Sequence, residues 1–266
     1  LEKLTSIKSL KFLPQRISED LQMSKLKANT LSEIFGSLQN LTHLTDLSLN
    51  LIMPDILGAR TVSSIKNSLS CLTDLKSLNL VMQFGQDCGK SFLTDLSQAI
   101  NGIHGLESLV LKLDRFSPIE KDWLDMGISS LSEAISNQTT LKKLHLEIAP
   151  SFKSEYFINS SHLGELAFAL SKLPELADLK LILLKGIFSR KHSTNSLAFC
   201  FTRLKKLRSL VLNMTDNQLI SLDTELLKKF IMTLSFMYTL RDFDINFFGL
   251  KRTNSVKEIE MKTQLA

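Results

Sequence analysis

Residues 80–96 read LVMQFGQDCGKSFLTDL, an apolar run, a Gly-Lys-Ser loop and a helical pattern. In a nucleotide-binding loop of this kind, Lys90 would meet phosphate and Ser91 would meet magnesium. That chemistry needs the spacing G-x-x-x-x-G-K-[ST], because successive backbone N–H groups wrap the phosphates. The first of those positions is Phe84, and the glycine comes one residue late, at Gly85. The downstream segment LVLKLD ends on Asp114 and imitates a metal-holding strand. The misplaced glycine predicts an ordinary surface loop, with Lys90 in solvent and Ser91 capping the next helix. No cofactor is expected.

The remaining reactive side chains do not assemble either. His43, His104, His145, His162 and His192 form no H-E-x-x-H and no i, i+4 pair, so no metal site is expected. His145 is read as a lone surface histidine. Cys71, Cys88 and Cys200 have no paired spacing, which excludes a C-x-x-C metal site and a readable disulfide framework. Sparse cysteines of this kind point to a reducing compartment, and the chain is expected to be intracellular, cytoplasmic or cytoskeletal/ciliary. Cys71 and Cys200 fall at helical positions and are expected to pack as small hydrophobes. Trp123, in EKDWLDMG, is expected to anchor a loop. The sequons at Asn40, Asn137, Asn159 and Asn213 are read as unused. No G-x-S-x-G elbow occurs, and the acids are scattered, so the chain is not expected to be an enzyme.

The elements that would position any site are repetitive. A phrase of the form L-x-x-L-x-x-L-x-L-x-L recurs as LTHLTDLSLNL from Leu41, LTDLKSLNLVM from Leu72 and IHGLESLVLKL from Ile103. It continues as QTTLKKLHLEI from Gln138, LPELADLKLIL from Leu173, LKKLRSLVLNM from Leu204 and MYTLRDFDINF from Met237, with a weaker first copy from Leu4. The marker residues Leu10, Leu47, Leu78, Leu109, Leu144, Leu179, Leu210 and Phe243 are 31 to 37 residues apart. Each phrase ends in period-2 alternation, the signature of a strand. Before each lies a helical apolar pattern, such as SFLTDLSQAI or HLGELAFALS. One such unit cannot bury its own apolar face, whereas stacked units share a continuous core. The strands must then run parallel with right-handed crossovers.

These eight imperfect copies resemble the leucine-rich repeat family, of the long, ribonuclease-inhibitor-like type, over about residues 1–250. The degenerate repeats are similar in style to those abundant in ciliated protists. The family's Asn or Cys after the strand is largely missing, with Ile52, Phe84, Asp114 or Thr215 in the matching region. The resemblance implies an α/β horseshoe of about eight strand-loop-helix repeats, with a parallel sheet on the concave face and helices on the convex face. Residues 251–266 are read as a polar cap or tail.

Alternation names the residues pointing away from the helices, and therefore toward a partner. They are Ser48 and Asn50, Asn79 and Val81, Val110 and Lys112, His145 and Glu147, Lys180 and Ile182, Val211 and Asn213, and Asp244 and Asn246. The face mixes charges and lacks the aromatics that stack single-stranded nucleic acid. It predicts a non-enzymatic scaffold binding protein, one subunit of a larger assembly. Charge supplies an alternative. Residues 1–133 carry 13 basic and 15 acidic side chains, and residues 134–266 carry 19 and 12. Residues 185–208 hold Lys185, Arg190, Lys191, Arg203, Lys205, Lys206 and Arg208 with no acid, a rim that nucleic acid could use. A regulatory segment of a larger enzyme is the third reading. No apolar run reaches the roughly 18 residues of a membrane span.

Overall fold

The computed structural model describes residues 6–13, 28–52, 59–83, 91–116, 121–150, 158–184, 187–188, 190–214, 218–219 and 224–246. Strands and helices alternate along them. In order they are β1 (Ser9–Phe12), α1 (Ala28–Ser37), β2 (Asp46–Ile52), α2 (Ala59–Leu69), β3 (Ser77–Gln83), α3 (Phe92–Asn101), β4 (Ser108–Phe116) and α4 (Lys121–Ser136). There follow β5 (Lys143–Pro150), α5 (Ser160–Leu170), β6 (Asp178–Leu183), β7 (Ile187–Phe188), α6 (Arg190–Arg203), β8 (Ser209–Asn213), β9 (Gln218–Leu219), α7 (Thr224–Ser235) and β10 (Asp242–Asn246). Eight strands form one parallel sheet in the order β1-β2-β3-β4-β5-β6-β8-β10, and β7 pairs with β9 in a small second sheet.

The marker residues explain the register. Leu10, Leu47, Leu78, Leu109, Leu144, Leu179, Leu210 and Phe243 lie side by side across the eight strands. A one-residue slip would turn every buried leucine of a strand to the other face. The leucines at alternate positions join inward residues of the helices in one core, so all seven helices cover the same side of the sheet. Each fully buried leucine stabilises that core by about 1.5–3 kcal/mol. The two edges are less well covered: Leu10 and Phe12 at one end, and Phe243 and Ile245 at the other, are only half-buried.

Two backbone devices repeat with the sequence. Just before each strand, one carbonyl accepts two N–H groups of the next unit. The Lys8, Thr45, Lys76, Glu107, Lys142, Ala177 and Arg208 carbonyls do so at 2.7–3.1 Å, forming a running ladder. Ahead of the ladder, a tight turn closes the return from each helix. Leu44, Leu75, Leu141, Leu176, Leu207 and Leu240 donate to the carbonyl three residues back.

The turn from α3 into β4 breaks this rule. Gly105 there takes φ +88°, a conformation glycine adopts without a Cβ penalty, and Leu106 does not bond the Ile103 carbonyl. The orphaned carbonyl is satisfied from the next unit. Gln138 stands where most repeats carry leucine, is 3% exposed, and donates from Nε2 to the Ile103 and Ile100 carbonyls, both at 3.0 Å.

Helix packing follows the same economy. At Gly127 on α4, an added Cβ would lie 2.6 Å from Leu93 Cβ on α3, so only glycine permits this approach. His162 is buried at the start of α5. Its Nδ1 accepts from the Asn159 N–H at 3.2 Å, which leaves Nε2 to donate to Asp125 Oδ1 on α4 at 2.6 Å. The Asn159 side chain accepts from Ser161 and His162 N–H groups and caps the helix.

Trp123, expected to anchor a loop, lies within the first turn of α4, which begins at Lys121. Two expectations are corrected. Cys71 is exposed, at the last position before a return turn, while Cys200 is buried as expected and burial pushes its thiol pKa far up. Ser91 sits at the N-cap of α3, but its hydroxyl makes no cap bond and donates to the Asp95 carboxylate at 2.6 Å. Residues 84–90, with Lys90 and Cys88, and the expected tail at 251–266 lie outside the described residues.

Candidate binding surface

The residues predicted to point away from the helices do so, and the register aligns them into two rows. One row runs Ser48, Asn79, Val110, His145, Lys180, Val211 and Asp244. The other runs Asn50, Val81, Lys112, Glu147, Ile182, Asn213 and Asn246. Cross-strand neighbours on one face stand about 5 Å apart, close enough for their side chains to interact. Asp244 is exposed and the others are intermediate, whereas the inward residues between them on β2 through β8 are buried. No described element covers this face.

The surface divides into three zones. Over β2 and β3 it is polar and neutral, with Asn79 Nδ2 donating to Ser48 Oγ at 3.0 Å. Over β4, β5 and β6 it is charged. Lys112 Nζ and His145 Nε2 each stand 3.5 Å from Glu147 Oε2, with Lys180 beside His145. From β6 to β8 it turns more apolar, with Ile182 and Val211. His145 is thus a half-covered member of a cluster, its side chain 13% exposed, rather than a lone surface histidine. Its Nε2 stands 3.5 Å from Glu147 Oε2, at the outer limit of a hydrogen bond. Asn50 Oδ1 and Asn79 Oδ1 are inaccessible and unpaired among the described residues. Alternation told which way these groups point, but not that their neighbours would crowd them. Nothing in the sequence pattern carries that signal.

The Glu147 carboxyl is held below its ordinary pKa by His145 first, against the opposing effect of burial, with the Lys112 charge adding to the lowering. The sign of the consequence follows. The unfolded chain binds this proton at higher pH than the folded one, so the stabilisation is complete above the ordinary value of 4.5 and is lost as pH falls through the lowered one. Wild type should lose this stability as pH falls below the ordinary carboxyl value of 4.5. Glu147→Gln should lose less over the same window in urea titrations, and equal losses would remove this role for Glu147.

The basic segment does not remain one block. Arg190 and Lys191 open α6 and Arg203 closes it, and 14 helical residues separate them by about 20 Å. Arg203, Lys205, Lys206 and Arg208 gather at the return-turn edge, where Lys206 pairs with Glu175 at 2.6 Å. Lys185 lies outside the described residues. Among the described residues no three His, Cys, Asp or Glu side chains converge to hold a metal ion. No described helix is long and apolar enough to cross a membrane.

No protein-family model matches the chain. A search of curated proteins finds no match either.

Proposed function

We propose that this chain is a leucine-rich-repeat solenoid acting as a non-enzymatic scaffold, one subunit of a larger assembly, and that it binds a partner protein on the uncovered sheet face. Strands about 4.8 Å apart, backed by helices about 10 Å wide, bend a stack of such units so that the uncovered face becomes concave. The observation behind the reading is the central zone of that face. There Lys112 Nζ and His145 Nε2 each stand 3.5 Å from Glu147 Oε2, longer than a well-formed charge-assisted hydrogen bond, with the Lys112 and Glu147 side chains 36% and 27% exposed. A partner that brings well-placed polar groups to these accessible charges gains hydrogen bonds worth about 1.5–3 kcal/mol each. Many modest contacts on a rigid curved surface then sum to specific binding.

The test is affinity capture from native extract by the wild-type chain and by Lys112→Glu/Ile182→Asp, each with and without nuclease. The expected result is a reproducible set of proteins that survives nuclease and is depleted at least tenfold with the variant. A set indifferent to the variant would remove the sheet face from the reading.

A second reading rests on Arg203, Lys205 and Arg208 at one edge, joined by Lys206, as a nucleic-acid contact. Its affinity for RNA would fall linearly on a log scale with salt. In the capture experiment, a set lost on nuclease treatment and on charge reversal at Lys205, Lys206 and Arg208 would favour it.

A further inference from the structure

The outer side of the helix layer is not uniform. Each return turn opens on one fixed position, from Leu41 to Met237, and the helix residue five places earlier faces outward. In the early repeats that residue is small or polar: Gly36, Asn67, Gln98 and Glu133. In the last three it is Phe168 on α5, Phe199 on α6 and Met232 on α7, exposed by 56%, 46% and 58%. Phe236 extends the last rung and is 65% exposed. Single exposed hydrophobes need no explanation, but the same position repeated on three successive packed helices sets a row of exposed apolar side chains across the helix layer.

The stripe carries its own charges. Lys172 Nζ lies 4.6 Å from the centre of the Phe168 ring, and Arg203 Cζ lies 5.3 Å from that of Phe199. Neither cation makes an ion pair among the described residues, so each keeps its charge for an approaching group. Glu165, on α5, is turned toward α4, where its Oε2 accepts from Ser129 at 2.7 Å. Between α6 and α7 the surface also dips into an apolar groove of about 310 Å³, walled by Thr202, Met232 and Phe236.

We propose that this outer face of α5, α6 and α7 is a second docking site, and that its occupant is an acidic amphipathic helix of a partner protein. Packed helices stand 8–10 Å apart, and seven residues of an α-helix rise 10.5 Å. A helix laid across the three rungs therefore meets one rung per heptad. Its apolar residues at i, i+7 and i+14 fall on the stripe, and Asp or Glu beside them reach Lys172 and Arg203. A second copy of this chain would bring the same cations against each other. A lipid surface would have no use for the groove. The site lies across the molecule from the uncovered sheet face and stands or falls independently of it.

The probe is a display library of helix-forming peptides of about 21 residues, three heptads long, selected on the full chain. The expected peptides carry apolar residues at heptad spacing with acids beside them. Their affinity should fall at least tenfold for Phe168→Ser/Phe199→Ser/Met232→Ser and for Lys172→Glu/Arg203→Glu, and should be unchanged for Lys112→Glu. All the substituted side chains are solvent-facing, and circular-dichroism melts check that the variants stay folded. The proposal is overturned if no such peptide is enriched, or if the enriched peptides ignore the triple variant. It is also overturned if the stripe instead mediates dimerisation or binding to phosphatidylserine vesicles, read by sedimentation.

Discussion

Leu109→Ala is expected to cost the folded chain about 2–5 kcal/mol, several times the cost of Leu10→Ala. The two residues hold the same place in their repeats. Leu109 is fully buried, flanked in register by Leu78 and Leu144, and its truncation leaves a cavity that neighbours on both sides are too well packed to fill. Leu10 pairs on one side only, with Leu47, and is half-buried. In a stack stabilised by nearest-neighbour interfaces, an interior lesion weakens two interfaces and an edge lesion weakens one. Urea unfolding followed by circular dichroism measures the difference. The Leu109 variant should also broaden the transition, because the array is weakened in its middle. Equal shifts in midpoint for the two variants would show that the units do not share their core through the sheet.

Gln138→Leu should destabilise the protein although it installs the residue that most repeats carry. The Ile103 carbonyl receives no backbone N–H, because Gly105 reshapes the turn, and the Gln138 amide is its donor. Removing that donor strands a buried carbonyl, at a cost of about 1–3 kcal/mol. Leucine recovers part of this through added apolar contact, so the net loss should sit toward the lower end of that range. Gln138→Ala forfeits both and should cost more. Thermal melts of the three proteins decide it, and a Leu variant as stable as wild type would sink the explanation.

The leucine phrases made the sheet legible. Eight markers at 31 to 37 residue intervals place eight strands in register, because period-2 burial leaves each strand one way to face the core. Helix starts were harder to read. The first turn of α4, with Trp123, shows less of the apolar periodicity that betrays the helix from Gly127 onward. Gln138 was invisible as a structural residue, since a polar side chain in a leucine position looks like noise until the partner carbonyl is in place. The directions of Lys112, His145 and Glu147 could be read from alternation. Their mutual crowding could not, because it depends on side chains from two strands 35 residues apart along the chain. The basic segment spans α6, so Arg190 and Arg203 stand at opposite ends of one helix.

The ladder of shared carbonyls has a consequence for how such a chain changes over time. Besides the strand pairing, every unit is fastened to the next immediately before its strand by two bonds from consecutive N–H groups. The stretch between one strand and the next fastening can then lengthen without shifting the register, and the entropy of closing a longer loop grows only slowly. Repeats of 31, 33, 35 and 37 residues accordingly share one sheet with their markers still aligned. The fastening acts as a ruler, and the segments hanging from it are free to be rewritten.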